Sequence, residues 1–311
     1  MVPALKMEGG FRVVLLATLA AAGCAPAVES PLVDSSSYRA QIESWRAERD
    51  LGLRKDDGWL TLVGLYWLEE GETSFGSAVD NDLEFPAGKI DERAGVFFRE
   101  GDAVTLIPAA GVTLSVDGEP ISEPIPLVLD TSDDGPTLVE SGTLSFFAIE
   151  RGEAIGIRLK DRESPVLAGF EGMDYFPPDP AWRLTGRYEL FAEPRTLRIP
   201  NVLGTVTEEE ILGQVTFEVA GEVLTLQPSG DAGEGFFLVF GDQTNGMETY
   251  GGGRFVYAEP VAADGSVVID FNKAYCPPCV FTPYATCPLP PAENKLPIRV
   301  EAGEKMFGAP H

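Results

Sequence analysis

The residues with the greatest chemical capacity lie between positions 242 and 287. Asp242, Thr244, Glu248, Tyr250 and Arg254 surround the run Gly251-Gly252-Gly253, and Asp270, Asn272, Lys273 and Tyr275 follow one strand later. If the two strands that carry them are neighbours, these groups converge into one polar cluster. Arg254 or Lys273 would then hold an anion, the guanidinium through paired hydrogen bonds and the ammonium as a point charge. Two carboxylates such as Glu248 and Asp270 suit glycoside hydrolysis, but only their separation in space decides it. The same residues equally suit a buried arginine–carboxylate network that holds the fold together. The glycine run matches neither a phosphate loop nor a dinucleotide fingerprint, and no helix follows it. Its glycines allow a sharp turn or close backbone approach.

Sulfur is the second candidate. Cys276-Pro277-Pro278-Cys279 is followed eight residues later by Cys287. A redox pair normally opens a helix, whose N-terminus stabilises the thiolate. Here prolines precede Val280-Phe281-Thr282-Pro283, which is no helix start. A zinc site would want a fourth ligand, and the only histidine is His311, the last residue. The constraints favour a structural disulfide that closes the loop, Cys279–Cys287 or Cys276–Cys287, over redox work, metal binding or free thiols. No cofactor and no metal site is expected. A single terminal imidazole also removes Ser-His-Asp and Cys-His devices. Chemistry here must use carboxylates, Tyr, Lys, Arg or Cys.

The compartment is written in the first 24 residues. Lys6 and Arg12 precede the short apolar run Phe11 to Ala22, and Ala21-Ala22-Gly23-Cys24 ends it with small residues and a thiol. This is the pattern of an export signal with a lipoprotein cleavage site. The run is shorter than the roughly 20 residues a membrane-spanning helix needs. Cleavage before Cys24 would leave that thiol to carry palmitate or a related lipid. Ala25, rather than Asp, next to it favours the outer membrane if the cell has two. The net charge is −26, and the segment removed is itself positive. So acidic a chain is repelled by nucleic acid and by anionic lipid, so membrane attachment must be through the lipid anchor and nucleic acid is excluded as a partner. The acidity itself reads as solubility.

Apolar content of 44% with 18 Phe supplies a real core. Residues 1–23 are the signal, and 24–36 a flexible tether. Residues 37–55 read as a helix with Tyr38, Ile42, Trp45, Arg49 and Leu53 on one face. From Trp59 the signals are those of strands about ten residues apart with Gly and Asp turns between them. The runs are Gly95–Arg99, Val104–Ile107, Val112–Val116, Ile125–Leu129, Thr143–Ile149 and Ile155–Leu159. Three prolines between Asp174 and Trp182 exclude helix and central strand there, so this stretch is an ordered connector. Strands resume at Gly186–Phe191, Thr196–Ile199, Gly213–Val219, Val223–Leu226, Gly235–Phe240, Arg254–Ala258 and Val267–Phe271, with a last one at Ile298–Glu301. The expected fold is mainly β: an N-terminal helix and sandwich-like half over 37–164, then a connector and barrel-like β half over 165–305. One continuous domain over 37–305 is the alternative.

Two resemblances add to this. Phe75-Gly76-Ser77, Asn81-Asp82-Leu83-Glu84-Phe85 and Asp117-Gly118 faintly resemble a forkhead-associated sandwich. Ser77 stands where such domains place a phosphate-binding Arg, and Asp91-Glu92-Arg93-Ala94 where they place Ser-x-x-His. The resemblance therefore implies the fold and not phosphothreonine binding. More specifically, Asp57-Gly-Trp-Leu-Thr-Leu-Val-Gly-Leu-Tyr-Trp-Leu68, Asp174-Tyr-Phe-Pro-Pro178, Pro200-Asn-Val-Leu-Gly204, Glu248-Thr-Tyr250, Gly253-Arg-Phe255 and Asp270-Phe-Asn272 through Cys279 to Pro290 resemble the domain-of-unknown-function family 1684. The resemblance spans about residues 40–305 and names no reaction. Family members usually carry Asn in place of Cys276, so the resemblance implies Cys279 and Cys287 as the shared pair. The expectation is an envelope lipoprotein that binds a small polar ligand or a partner protein through Asp242, Glu248, Tyr250, Arg254, Asp270, Asn272 and Tyr275. A carboxylate- and Tyr-dependent hydrolase of sugars or esters is the alternative, and a thiol oxidoreductase the third.

Overall fold

The computed structural model describes residues 35–308. The expected signal segment, Cys24, most of the expected tether and His311 lie outside the described residues. Helix α1 (Ser35–Leu53) opens the described chain. Tyr38, Ile42 and Leu53 are at most 1% exposed. That is the face drawn by the three- and four-residue spacing, because residues so separated stack on one side of a helix. A 3-10 turn at Trp59–Thr61 then leads into strands.

The first half contains β1 (Leu62–Trp67), β2 (Gly71–Gly76), β3 (Leu83–Glu84), β4 (Gly95–Glu100), β5 (Ala103–Pro108), β6 (Leu114–Val116), β7 (Glu119–Ile121), β8 (Ile125–Leu127), β9 (Val139–Ser141), β10 (Leu144–Arg151) and β11 (Ala154–Asp161). They form two sheets, ordered β1-β11-β10-β9-β6-β7 and β3-β2-β4-β5-β8. All pairings are antiparallel except β2 with β3. One core joins the two sheets, with Phe75, Phe85, Phe97 and Phe146 at its centre. Their rings meet at 4.4–5.9 Å between centroids, mostly tilted or edge-on, as aromatic quadrupoles prefer. Strands β10 and β11 are buried on both faces, unlike a strand with one wet side. The second face is covered by the other half of the molecule.

After a short helix α2 (Pro165–Ala168), capped by the Ser164 hydroxyl, the connector runs without strand or long helix to Trp182. The second half contains β12 (Arg183–Pro200), β13 (Val206–Val219), β14 (Glu222–Leu226), β15 (Ser229–Asp231), β16 (Gly235–Phe240), β17 (Arg254–Ala258) and β18 (Ser266–Asp270). They form one sheet ordered β14-β13-β12-β18-β17-β16-β15. The sheet wraps over a core that includes Phe217, Phe236, Phe240, Ile269 and Phe271. It is strongly bent: buried Asn294 bonds the backbone of Gln227 beyond β14 and of Val239 in β16. No strand pairing closes it into a barrel among the described residues.

Two local readings need correction. Gly186–Phe191 and Thr196–Ile199 are one strand, β12, whose register shifts between Leu190 and Arg195. The irregularity accommodates Pro194, which has no amide to give to a ladder. Ile298–Glu301 is not a strand. Its backbone pairs instead with the loop at 242–243, where Gln243 donates to the Ile298 carbonyl and the Val300 amide to Asp242 Oδ1.

Helix α1 precedes the sandwich in sequence but docks on the second half, through Tyr38 to Asp270 and Arg49 to Glu304. The core makes a direct test available. Phe146 is fully buried against three other rings. Phe146→Ala should cost about 3–5 kcal/mol, read as a lower denaturant midpoint at unchanged slope.

Candidate functional site

The polar residues of 242–275 do not converge on one point. Most divide among three places, two of them sealed, while Tyr250 lines a separate cavity of about 350 Å³ with Val280, Phe281 and Phe307.

The first is built on Arg254 at the start of β17. Its guanidinium is 0% exposed and pairs with Asp242, also 0% exposed, at 2.8 Å. It also donates to the carbonyls of Val300 at 2.8 Å, Glu304 at 3.3 Å and Ala302. Asp242 in turn accepts the amides of Thr244 and Val300. Every one of these partners is backbone or the paired carboxylate. The function of the cluster is to hold the 300–304 tail against the sheet. The glycine run serves the same packing: Gly253 has a φ of +85°, and a Cβ there would meet Pro290 at 2.3 Å. Glu248, from the same segment, lies near the surface in an ion pair with Arg299.

The second place is the end of β18. Asp270 accepts the Tyr38 hydroxyl at 2.7 Å and the Asn272 amide at 3.1 Å. Asn272, fully buried, also donates to Tyr38 Oη and to the carbonyl of Asp179. Helix α1, the connector and the sheet are thereby tied at one point. Burial and the Asp270 carboxylate push the Tyr38 phenol well above its ordinary value, so it stays a donor. Glu248 and Asp270 serve different partners, Arg299 for the first and Tyr38 with Asn272 for the second.

Between them lies Glu304, fully buried, which takes Arg49 Nε at 2.9 Å and the Cys276 amide at 2.6 Å. Burial raises its carboxyl above the usual range. Cys276 is buried too, and burial with the nearby Glu304 pushes its thiol up to about 12. Such a thiol is neither nucleophile nor ready ligand at neutral pH. The disulfide joins Cys279 to Cys287, with Cα atoms 6.2 Å apart. No group of three or more metal-ligating side chains occurs among the described residues.

The third place is open. Lys273 and Tyr275 line a groove of about 320 Å³ together with Trp45, Arg49, Trp59 and Tyr257. Helix α1 supplies Trp45 and Arg49, the 3-10 turn supplies Trp59, β17 supplies Tyr257, and the segment after β18 supplies the rest. Arg49 lies 4.7 Å over the Tyr275 ring, and Tyr257 stacks on Tyr275 at 6.3 Å. Burial raises the Tyr275 phenol above its ordinary value. Lys273 has no hydrogen-bond or ion-pair partner among the described residues, and no carboxylate lines the groove. Four rings and an unpaired ammonium make a surface for a ligand with a flat face and a negative charge. Sequence reasoning placed Lys273 and Tyr275 in the candidate cluster. It did not connect them to Trp45, Trp59 or Tyr257, since nothing local brings residues 45, 59, 257 and 273 together.

Two measurements test these assignments. Arg254→Met should destabilise by about 3–5 kcal/mol because Asp242 is left charged and sealed; adding Asp242→Leu should recover much of that loss. Native protein treated with iodoacetamide at pH 8 should show no modification at Cys276 by peptide mapping, and full modification after unfolding. Rapid native labelling would mean the thiol is accessible after all.

The chain matches the family "Protein of unknown function (DUF1684)" over residues 168–305. Among solved structures, it is similar to an uncharacterized protein of Haloarcula marismortui, determined by solution NMR. Identity is 31%, the match covers 44% of this chain and 78% of that one, and the TM-score is 0.37. It is also similar to the FhaA FHA domain, solved in complex with the intracellular domain of Rv3910, at 16% identity. That match covers 31% of this chain and 97% of the other, with a TM-score of 0.22. A second FHA structure, from work on phosphothreonine-dependent interactions, matches at 17% identity over 32% of this chain and 96% of its own, with the same TM-score. Among curated proteins nothing matches. Through residues 168–305, this chain belongs to the family of proteins of unknown function DUF1684.

Proposed function

We propose that this chain is an exported envelope protein, anchored by lipid on Cys24, that binds a small anionic ligand with a flat face in the groove of Trp45, Trp59, Tyr257, Lys273 and Tyr275. The observation that carries the reading is Lys273. In a chain of net charge −26, carboxylates are in excess, yet this ammonium has none beside it among the described residues. An unpaired cation against aromatic walls is the usual composition of a site that orients a ligand by charge and holds it by its face. A sugar acid or an aromatic carboxylate has both properties. The position of the groove also suits binding, since it is assembled where α1 meets the second half and is stiffened from behind by Arg49 and Glu304. Of the residues expected to bind ligand, Tyr275 and the neighbouring Lys273 retain that role. Asp242 and Arg254 hold the 300–304 tail, and Asp270 and Asn272 hold Tyr38 of α1.

The test is a thermal-shift screen of sugar acids and aromatic carboxylates at fixed ionic strength. A ligand of this class should raise the melting temperature saturably. Lys273→Ala should weaken that ligand about tenfold or more, and leave the unliganded melting temperature nearly unchanged because the residue has no structural partner. Absence of any saturable shift across the class, or an unaltered affinity in Lys273→Ala, would sink the reading. The anchor is tested separately: Cys24→Ser should move the protein from the membrane fraction to the soluble envelope fraction.

A further inference from the structure

The face of β10 and β11 turned away from the sandwich core holds a second set of cations. Phe147 on β10 is paired in register with Arg158 on β11, and Lys160 follows two residues on, so both cations share its face. Arg158 is 4% exposed. Its guanidinium lies 5.3 Å over the Trp59 ring and 6.0 Å over Phe147, while Lys160 Nζ is 5.5 Å over the same Phe147 ring.

What these cations lack is a direct ion pair: Asp130 acts on Arg158 and Asp57 on Lys160 only from a distance. Neither has a carboxylate within 4 Å among the described residues, whereas the other deeply buried guanidinium, Arg254, has Asp242. Arg158 has one polar contact, to Thr286 Oγ1 at 3.4 Å, and its Nε has none. Lys160 has a single acceptor, the Asp57 carbonyl at 2.6 Å. Burial and the proximity of Arg151 push the Arg158 guanidinium down to about 10, and burial lowers Lys160 as well. Arg151 itself is answered by Asp130 at 2.8 Å. Thr286 Oγ1 already accepts from Arg151 Nε at 3.0 Å as well as from Arg158, so its own hydrogen is left to donate. A buried charge without a partner is costly to keep. The arrangement of guanidinium, ammonium and hydroxyl donors over two supporting rings is complementary to an oxyanion.

We infer that Arg158, Lys160 and Thr286 form a binding site for a small oxyanion, phosphate or carboxylate, at the seam between the first sheet and the segment that ends at Cys287. The site meets the aromatic groove at Trp59 but uses neither Lys273 nor Tyr275. The two readings therefore stand or fall separately.

The experiment is a melting curve of the full chain titrated with sodium phosphate or sodium citrate, with chloride balancing the ionic strength. The expected result is a saturable rise of about 3 °C at roughly tenfold excess over the dissociation constant. A response to phosphate alone marks the ligand as a phosphate, a response to citrate alone as a carboxylate. Arg158→Met should lose the response and melt in chloride at the parent temperature or above, because the uncompensated charge is gone. Lys160→Met should weaken the anion about tenfold, and Lys273→Ala should leave the response intact. If Arg158→Met does not fold, Arg158→Lys keeps the charge but not the planar fork, and must bind the anion more weakly. A parent chain that responds saturably to neither anion, or an Arg158 variant that binds as tightly as the parent, overturns the inference.

Discussion

The Arg254–Asp242 ion pair decides how the second half of this molecule closes. Among the described residues, the segment 296–307 has no strand pairing to hold it, apart from an isolated bridge at Glu304. It is held by a guanidinium that reaches through the sheet to the carbonyls of Val300, Ala302 and Glu304. A charge buried so completely is tolerable only when paired and hydrogen-bonded, and Asp242 supplies the pairing. Once the tail is fixed, Glu304 is fixed, and Glu304 in turn presents a carboxylate to Arg49 on α1. The helix therefore docks on the far end of the chain and not on the sandwich that follows it.

The same logic explains why the helix face is mixed. Tyr38 and Arg49 each spend their polar end on a buried partner, Asp270 and Glu304, while Ile42 and Leu53 supply apolar contact. Replacing these polar contacts by apolar ones would keep burial but lose register, since hydrogen bonds have directions and apolar contacts do not. The groove depends on that register. Trp45 and Arg49 meet Tyr257, Lys273 and Tyr275 only when α1 sits at one height along the sheet.

Placement of cations is the other constraint. With 49 acidic and 23 basic side chains, most Lys and Arg should find a carboxylate close by. Arg46, Arg93, Arg151, Arg183, Arg254 and Arg299 do. Among the described cations that do not are Lys273, Arg158 and Lys160, which lie beside aromatic rings near Trp59 or Tyr275. Local positive potential at this junction, within a strongly negative molecule, is the electrostatic feature on which ligand recognition would rest.

Much of the architecture was readable from residue order. The face of α1 followed from three- and four-residue spacing, and β16, β17 and the sandwich strands from short apolar runs between Gly and Asp turns. These are local signals, set by the periods of helix and strand and by which residues tolerate a turn. The short edge strands β3, β7 and β15 gave too few residues to show a period. The Ile298–Glu301 run looked like a strand because alternation says nothing about whether an edge is available to pair with. The resemblance to the family implied the Cys279–Cys287 pairing; the spacing of three thiols left it open.

By itself the sequence determined the mainly β fold class and the acidic character, because these depend on composition and on neighbours along the chain. Tertiary structure decided which polar groups are structural and which are open to solvent. Arg254, Asp242, Asp270 and Asn272 look the same in sequence as Lys273 and Tyr275. Their difference lies in burial and in partners up to 234 residues away, and only packing sets those.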